Sequence, residues 1–357
     1  MRHHLRFWAT LLALLLPLGV ASAAPLVAGN DHAFEDHSDE DHEQETLTAI
    51  ILSGANLTST SFKESVLVDA LLDGAILVEA NLEKADLTGA DLGDAVMTKV
   101  KAKEAVFVDA LLDGADLTRA NLEKADLTGA DLTAAAMTRL KAKEALFTDA
   151  DLTGADLAKA NLEKADLDGA DLTDAIVAGA KAKEANFQGA ILEATIFTGS
   201  KLEKANFRDA VLDAADLSDT KLKEAVFAGA SMVGTKLVGA KLEKADFSGT
   251  DLTDAVVTNS FVKKGNFKGA ILDGATLVGS DIEEADFTGA SLLGADVSIL
   301  ANVGSAEVRD ARWNDDTLLH PDMDTSVMIF VPEPGGTLSL AAGMLALAAL
   351  GRGRSRE

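Results

Sequence analysis

The chain contains no cysteine and no tyrosine, and only 4% of its 357 residues are aromatic. Without cysteine there is neither a disulfide framework nor a thiolate metal site. With so few rings, a stacking surface for bases or sugars is hard to build. Positive charge is also scarce: 32 Lys and Arg face 58 Asp and Glu, a formal net charge of −26. Nucleic acid and anionic membrane surfaces are themselves negative, so this balance argues against both as electrostatic partners and leaves cations and basic proteins as counterparts. Histidine occurs only at His3, His4, His32, His37, His42 and His320, and the long middle of the chain has none. That middle therefore offers no catalytic constellation, and the chain reads as non-enzymatic, with no cofactor beyond a weakly held divalent cation.

What the sequence has is repetition. From Lys63-Glu64 onward a neighbouring pair of opposite charges recurs every twenty residues and reverses each time: Glu83-Lys84, Lys103-Glu104, Glu123-Lys124, Lys143-Glu144, and so on to Glu243-Lys244. If twenty residues make one turn of a coil, each Lys lies above or below a Glu of the next turn. Turns of fifteen or twenty-five would not align these positions. Within this register, apolar residues hold nearly every fifth position from Leu47 to Val297, and a small residue, most often Ala, stands two places before each. A period of five rotates about 140° per step on an α-helix and alternates faces on a strand, so neither regular element fits. The chain must bend once per five residues, turning two inward and three outward, with four sides to a turn.

Ala85-Asp86-Leu87-Thr88-Gly89 and Ala90-Asp91-Leu92 resemble the Ala-(Asp/Asn)-Leu-x-x unit of the pentapeptide-repeat family, and the resemblance covers about 250 residues. It implies a right-handed quadrilateral β-helix over 47–313, about 12–13 coils of 20 residues, or a rod roughly 60 Å long at ~4.8 Å per coil. Inside it, Ala102, Ala142 and Ala182 stand next to Phe107, Phe147 and Phe187, a trade of volume that preserves packing. From Phe187 to Phe287 one side carries Phe on every turn, an expected aromatic ladder. Outside it, alternating the signs of stacked charges turns repulsion into attraction and defines register, since a slip of five residues breaks every pair. Asp131, Asp151 and Asp171 stack in a row, either as caps of their own turns or as a Ca²⁺ site. Outward Val66, Leu71, Ile76, Val106 and Leu111 offer a self-association patch for a homodimer, or are scattered apolar residues.

The ends read as addresses. Residues 1–23 combine basic Arg2 and Arg6, an apolar run from Phe7 to Val20, and Ala21-Ser22-Ala23, the order of a secretory signal peptide removed by signal peptidase. Residues 331–357 combine Pro332-Glu333-Pro334, an apolar segment from Thr337 to Leu350, and Arg352, Arg354 and Arg356. That tail resembles the PEP-CTERM sorting signal of Gram-negative bacteria. The resemblance implies transient insertion in the inner membrane, processing by an exosortase, and release to the envelope surface or the extracellular polysaccharide matrix.

Between the signal peptide and the coil, residues 24–46 read as an acidic, disordered linker, because so dense a charge run cannot bury apolar surface. The other reading is a site for zinc, nickel or copper at His32, His37 and His42, although three His at this spacing match no closed tetrahedral pattern. Their five-residue spacing continues the rhythm of the next segment, as a degenerate remnant of the same repeat would. After Val297 the rhythm slips by one, which predicts a one-residue bulge near Ser298–Leu300. A cap around Trp313 to about 321 and a linker over 322–330 follow.

The reading of the whole is an exported structural or interaction protein of the cell surface or exopolysaccharide matrix, with polysaccharide or other surface proteins as partners. Two alternatives stand beside it: an acidic, DNA-mimicking module of the topoisomerase-protecting type, which the family includes, and a cation-binding surface protein.

Overall fold

The computed structural model describes residues 25–332. The signal peptide, Glu333 and Pro334 of the sorting motif, the apolar segment after them and the arginine tail lie outside the described residues. Among the described residues, no helix is long and apolar enough to cross a membrane.

Each five-residue unit has one form. Its first residue bridges to the neighbouring turns, the second points inward, the third and fourth make the corner, and the fifth points inward again. The corner needs a left-handed fourth residue: Gly89 has φ 66° and Gly129 φ 67°, but Lys84 and Lys124 take the same conformation at 58° and 59°. Parallel bridges join residue i to i+20 from Asp31↔Ile51 through Thr276↔Asp296, so four units make one turn, as the charge pairs require. The ladder is dense. Leu82 N donates to Lys101 O at 2.6 Å, Lys84 N to Lys103 O at 2.9 Å, and Ala85 N closes its own corner on Leu82 O at 3.0 Å. The Asp at the first position completes the corner: Oδ1 of Asp131, Asp151 and Asp171 accepts from the backbone N of Thr133, Thr153 and Thr173 at 2.9–3.0 Å. The Asp row thus caps its own turns.

The core is a continuous column of buried Leu, Ala and Phe. Phe187, Phe207, Phe227, Phe247, Phe267 and Phe287 stack with centroids 4.7–4.9 Å apart and planes within 9° of parallel. Where Thr replaces the small residue, its hydroxyl donates to a backbone carbonyl: Thr195 to Leu172 O and Thr235 to Leu212 O of the turn below, both at 2.7 Å, and Thr220 to Leu217 O just before it in the chain. Among the described residues, no inward hydroxyl of this kind is left without a partner.

Three boundaries differ from the sequence reading. Of the stretch 24–46, the described residues 25–46 are not a linker: bridges Asp31↔Ile51, Asp36↔Asn56, Asp41↔Ser61 and Thr46↔Val66 make them a turn of the coil. Backbone groups form the ladder, and its corners tolerate an acidic composition because the extra charge points outward or pairs inside. At the other end, β1 (Ser280–Asp281) pairs with β2 (Leu300–Ala301) in the twenty-residue register, whereas Asp286 pairs with Glu307. The extra residue therefore falls after Ala301, where a 3-10 helix, Val303–Ser305, takes it up, and not at Ser298–Leu300. Finally, residues 322–330 are no linker. β3 (Arg312–Trp313) pairs in parallel with β4 (Ile329–Phe330), and Phe330 packs edge-on against Trp313 at 4.9 Å, closing the open end.

Candidate functional site

The first turn has the backbone of all the others but a different interior. His32, His37 and His42 occupy the second, inward position that Leu holds elsewhere, and Glu35, Glu40 and Glu45 occupy the fifth, where Ala is usual. All three His are buried, at 4%, 0% and 8% exposure. The side chains alternate around the interior as a chain of contacts. His32 Nδ1 lies 2.9 Å from Glu35 Oε2, which lies 3.2 Å from His37 Nε2. His37 Nδ1 is 2.9 Å from Glu40 Oε2, which is 2.9 Å from His42 Nε2, and His42 Nδ1 is 3.3 Å from Glu45 Oε2. His42 stacks on Phe62 of the next turn at 5.5 Å, so the imidazole continues an inward column of the core. Burial on its own raises the Glu40 pKa, but the contacts with His37 and His42 outweigh it and hold the carboxyl below its ordinary value. The three His singled out in the sequence lie together inside the turn; the Glu partners at the fifth position were not singled out there, although their spacing of five was visible.

The charge pairs form two outward columns along one face. Lys84–Glu64, Lys124–Glu144, Lys164–Glu184 and Lys204–Glu224 approach to 3.7–3.9 Å between turns. Lys103, Lys143 and Lys183 instead reach sideways to Glu104, Glu144 and Glu184 within their own turns. Among the described residues, Lys63, Glu83 and Glu123 make no ion pair. These side chains are half exposed, so each pair contributes only about 0.2–1 kcal/mol. At the like-charged neighbours Lys244 and Lys264 the ladder keeps its spacing, with Lys244 N donating to Lys263 O at 2.9 Å and Lys264 N to Glu283 O at 2.8 Å, and Lys263 and Lys264 meet Glu283 and Glu284 at 2.7 and 3.1 Å.

A neighbouring face carries a feature missed in the sequence. Lys99, Arg119, Arg139 and Lys159 fill the fourth position on four successive turns, beside Thr98, Thr118, Thr138 and Ala158, and together line a surface groove of about 450 Å³. Glu79, one turn below, lies 2.7 Å from Lys99, and this contact lowers the Glu79 pKa. Among the described residues, Arg119, Arg139 and Lys159 are in no ion pair. The outward apolar columns are interrupted, since Asp91 bridges between Leu71 and Leu111 and Asp86 between Val66 and Val106, although Ile51 bridges to Leu71 and Ile76 to Val96. Of the sorting motif only Pro332 is described.

The chain matches the family model of pentapeptide repeats in overlapping segments from 46–77 through 95–133 and from 145–181 through 266–298, and it belongs to that family. The matches start at residue 46, above the His/Glu turn. Among solved structures, HetL, a pentapeptide repeat protein involved in heterocyst differentiation regulation from Nostoc sp. Strain PCC 7120, is 24% identical over 81% of this chain and 93% of its own, with a TM-score of 0.27. A pentapeptide repeat protein of the Arabidopsis thaliana thylakoid lumen is 30% identical over 29% of this chain and 69% of its own, with a TM-score of 0.24. QnrB1, a plasmid-mediated fluoroquinolone resistance protein, is 17% identical over 65% of this chain and 95% of its own, with a TM-score of 0.23. No curated protein matches the chain.

Proposed function

We propose that this protein is an exported, non-enzymatic rod, a right-handed four-sided coil, that serves as a structural or interaction protein at the surface or in the exopolysaccharide matrix of a Gram-negative bacterium. Export rests on the signal-peptide pattern of residues 1–23. Sorting rests on Pro332-Glu333-Pro334 with its apolar and arginine-rich tail, processed by an exosortase after transient insertion in the inner membrane.

The observation that carries the interaction role is the filled interior. Leu, Ala and Phe occupy the core from Leu47 to Val297 and leave ligands only the outward faces and the ends. On those faces the groove of Lys99, Arg119, Arg139 and Lys159 is a cationic strip on a chain of net charge −26. At physiological salt, charges are screened beyond ~8 Å, so a ligand in the groove responds to these four side chains more than to the distant acidic faces. Cations recurring at the turn spacing suit an extended acidic polysaccharide, held by charge and not by aromatic stacking.

Cell fractionation with mass determination of the mature termini tests the reading. The expected result is protein in the matrix fraction, cleaved after Ala23 and near Pro332; confinement to the cytoplasm would overturn it. Combined Arg119→Glu and Arg139→Glu substitution should shift the protein from matrix to soluble medium, and unchanged retention would remove the groove from the account.

A further inference from the structure

The coil itself does not require the His/Glu interior, because every turn above it is built with Leu and Ala. We propose that the first turn binds a divalent transition-metal ion of the zinc, nickel or copper class, with His37 as the common ligand of two overlapping triads, His32/Glu35/His37 and His37/Glu40/His42. This inference concerns the folded chain alone and does not depend on where the protein resides.

Four observations converge on it. In each triad the ligand atoms lie within 4.8 Å of one another. Two ligands held about 2.1 Å from one tetrahedral ion stand roughly 3.4 Å apart, and the N···O separations within the two triads are 2.9–3.2 Å, a few tenths of an ångström from that. Second, hydrogen bonding alone cannot account for the contacts of neutral imidazoles. Both nitrogens of His37 face carboxylate oxygens, as do both of His42, but a neutral imidazole has one N–H to give and a carboxylate none. A second proton on each ring removes that conflict, and so does a metal ion between nitrogen and oxygen. Third, His32 Nε2 is buried and has no hydrogen-bond partner, so a further polar atom of the ring is left for a ligand. Fourth, the donor set selects the metal: imidazole with carboxylate suits zinc, nickel and copper, whereas Ca²⁺ and Mg²⁺ take oxygen ligands.

The competing account is a polar plug that closes the end of the coil without a metal. Equilibrium dialysis of the intact, chelator-stripped chain against ZnCl₂, followed by metal analysis, separates the two. The variant is His37→Leu, which installs the residue that this position carries elsewhere in the coil and so preserves the fold; His320→Gln is the control. The expected result is saturable binding of at least one Zn²⁺ per chain, a higher unfolding temperature with zinc, and affinity weakened roughly tenfold or more in His37→Leu but unchanged in His320→Gln. No saturable binding by the unsubstituted chain, or His37→Leu with unaltered affinity, would overturn the proposal. Cobalt(II) gives a reading that needs no variant: the intense visible bands of a four- or five-coordinate nitrogen/oxygen site support it, and the weak spectrum of the hydrated ion refutes it.

Discussion

Residues 27–46 and 47–66 are consecutive turns with one backbone and opposite interiors. Their corners are left-handed alike, at Gly29, Phe34, Asp39 and Gln44 below and at Ala49, Gly54, Ser59 and Glu64 above. The lower turn donates to the upper in the same pattern that the upper uses with the next: His32 N to Ile51 O at 2.7 Å, Leu52 N to Leu71 O at 2.7 Å. Inside, the lower turn holds His and Glu, and the upper holds Leu47, Leu52, Ala55, Leu57 and Phe62. The backbone ladder therefore defines the coil, while the inward side chains decide what each stretch contributes in stability or chemistry. A solenoid permits this division, since a turn contacts only its neighbours and a polar turn at the end disturbs one interface.

The sharpest way to break the comparison is to move the polar interior to the middle. Leu127→Asp places a carboxylate in the core with no His beside it, and urea unfolding should show a loss of about 4 kcal/mol or more. His37→Leu in the metal-free chain, the reverse exchange, should leave stability equal or higher. Next comes the aromatic ladder: Phe227→Ala removes a ring stacked on both faces and should lower stability by about 3–5 kcal/mol by the same measurement. A corner is worth less. Asp126 Oδ1 accepts from Thr128 N at 3.0 Å and from its hydroxyl at 2.6 Å, so Asp126→Ala should lose about 1 kcal/mol.

The charge columns come lower still, and their sign is informative. Glu184 has φ 59°, a conformation that disfavours a side-chain-bearing residue by roughly 1–2 kcal/mol, against the ~0.2–1 kcal/mol of an exposed pair. Glu184→Gly should therefore leave the protein as stable or slightly more so; a clear loss in urea unfolding would show that the columns stabilise as well as specify register. The smallest effect is a pH dependence at the other end of the coil. Burial alone would raise the Asp286 pKa, but hydrogen bonds from Thr288 and the Lys268 ammonium at 3.0 Å bring it below its ordinary 3.8. Its contribution is complete above that value and fades as pH falls through the lower folded value, so Lys268→Ala should lower stability slightly at neutral pH, flatten the acid limb of a stability profile below pH 3.8, and leave the stability at the lowest pH unchanged.

The parts of the fold legible in the sequence are those written as periods. Reversal of Lys and Glu every twenty residues set the turn, and the five-residue rhythm set the sides, because both depend on side chains that repeat. The first turn was misread as a linker because inward His and Glu defeat a hydrophobic criterion, even though His32, His37 and His42 keep the rhythm. The closure by Ile329–Phe330 had no signal: a single strand pairing by backbone leaves no period. The groove of Lys99, Arg119, Arg139 and Lys159 was visible at twenty-residue spacing, but mixing Lys with Arg hid it beside the stricter charge pairs.

Backbone hydrogen exchange at His32, His37 and His42 tests the central claim most directly, because their amides donate to Ile51, Asn56 and Ser61 only if this stretch is a turn of the coil. Protection close to that of Leu52 and Leu57 is the predicted result; exchange at the rate of an unstructured acidic segment would contradict it.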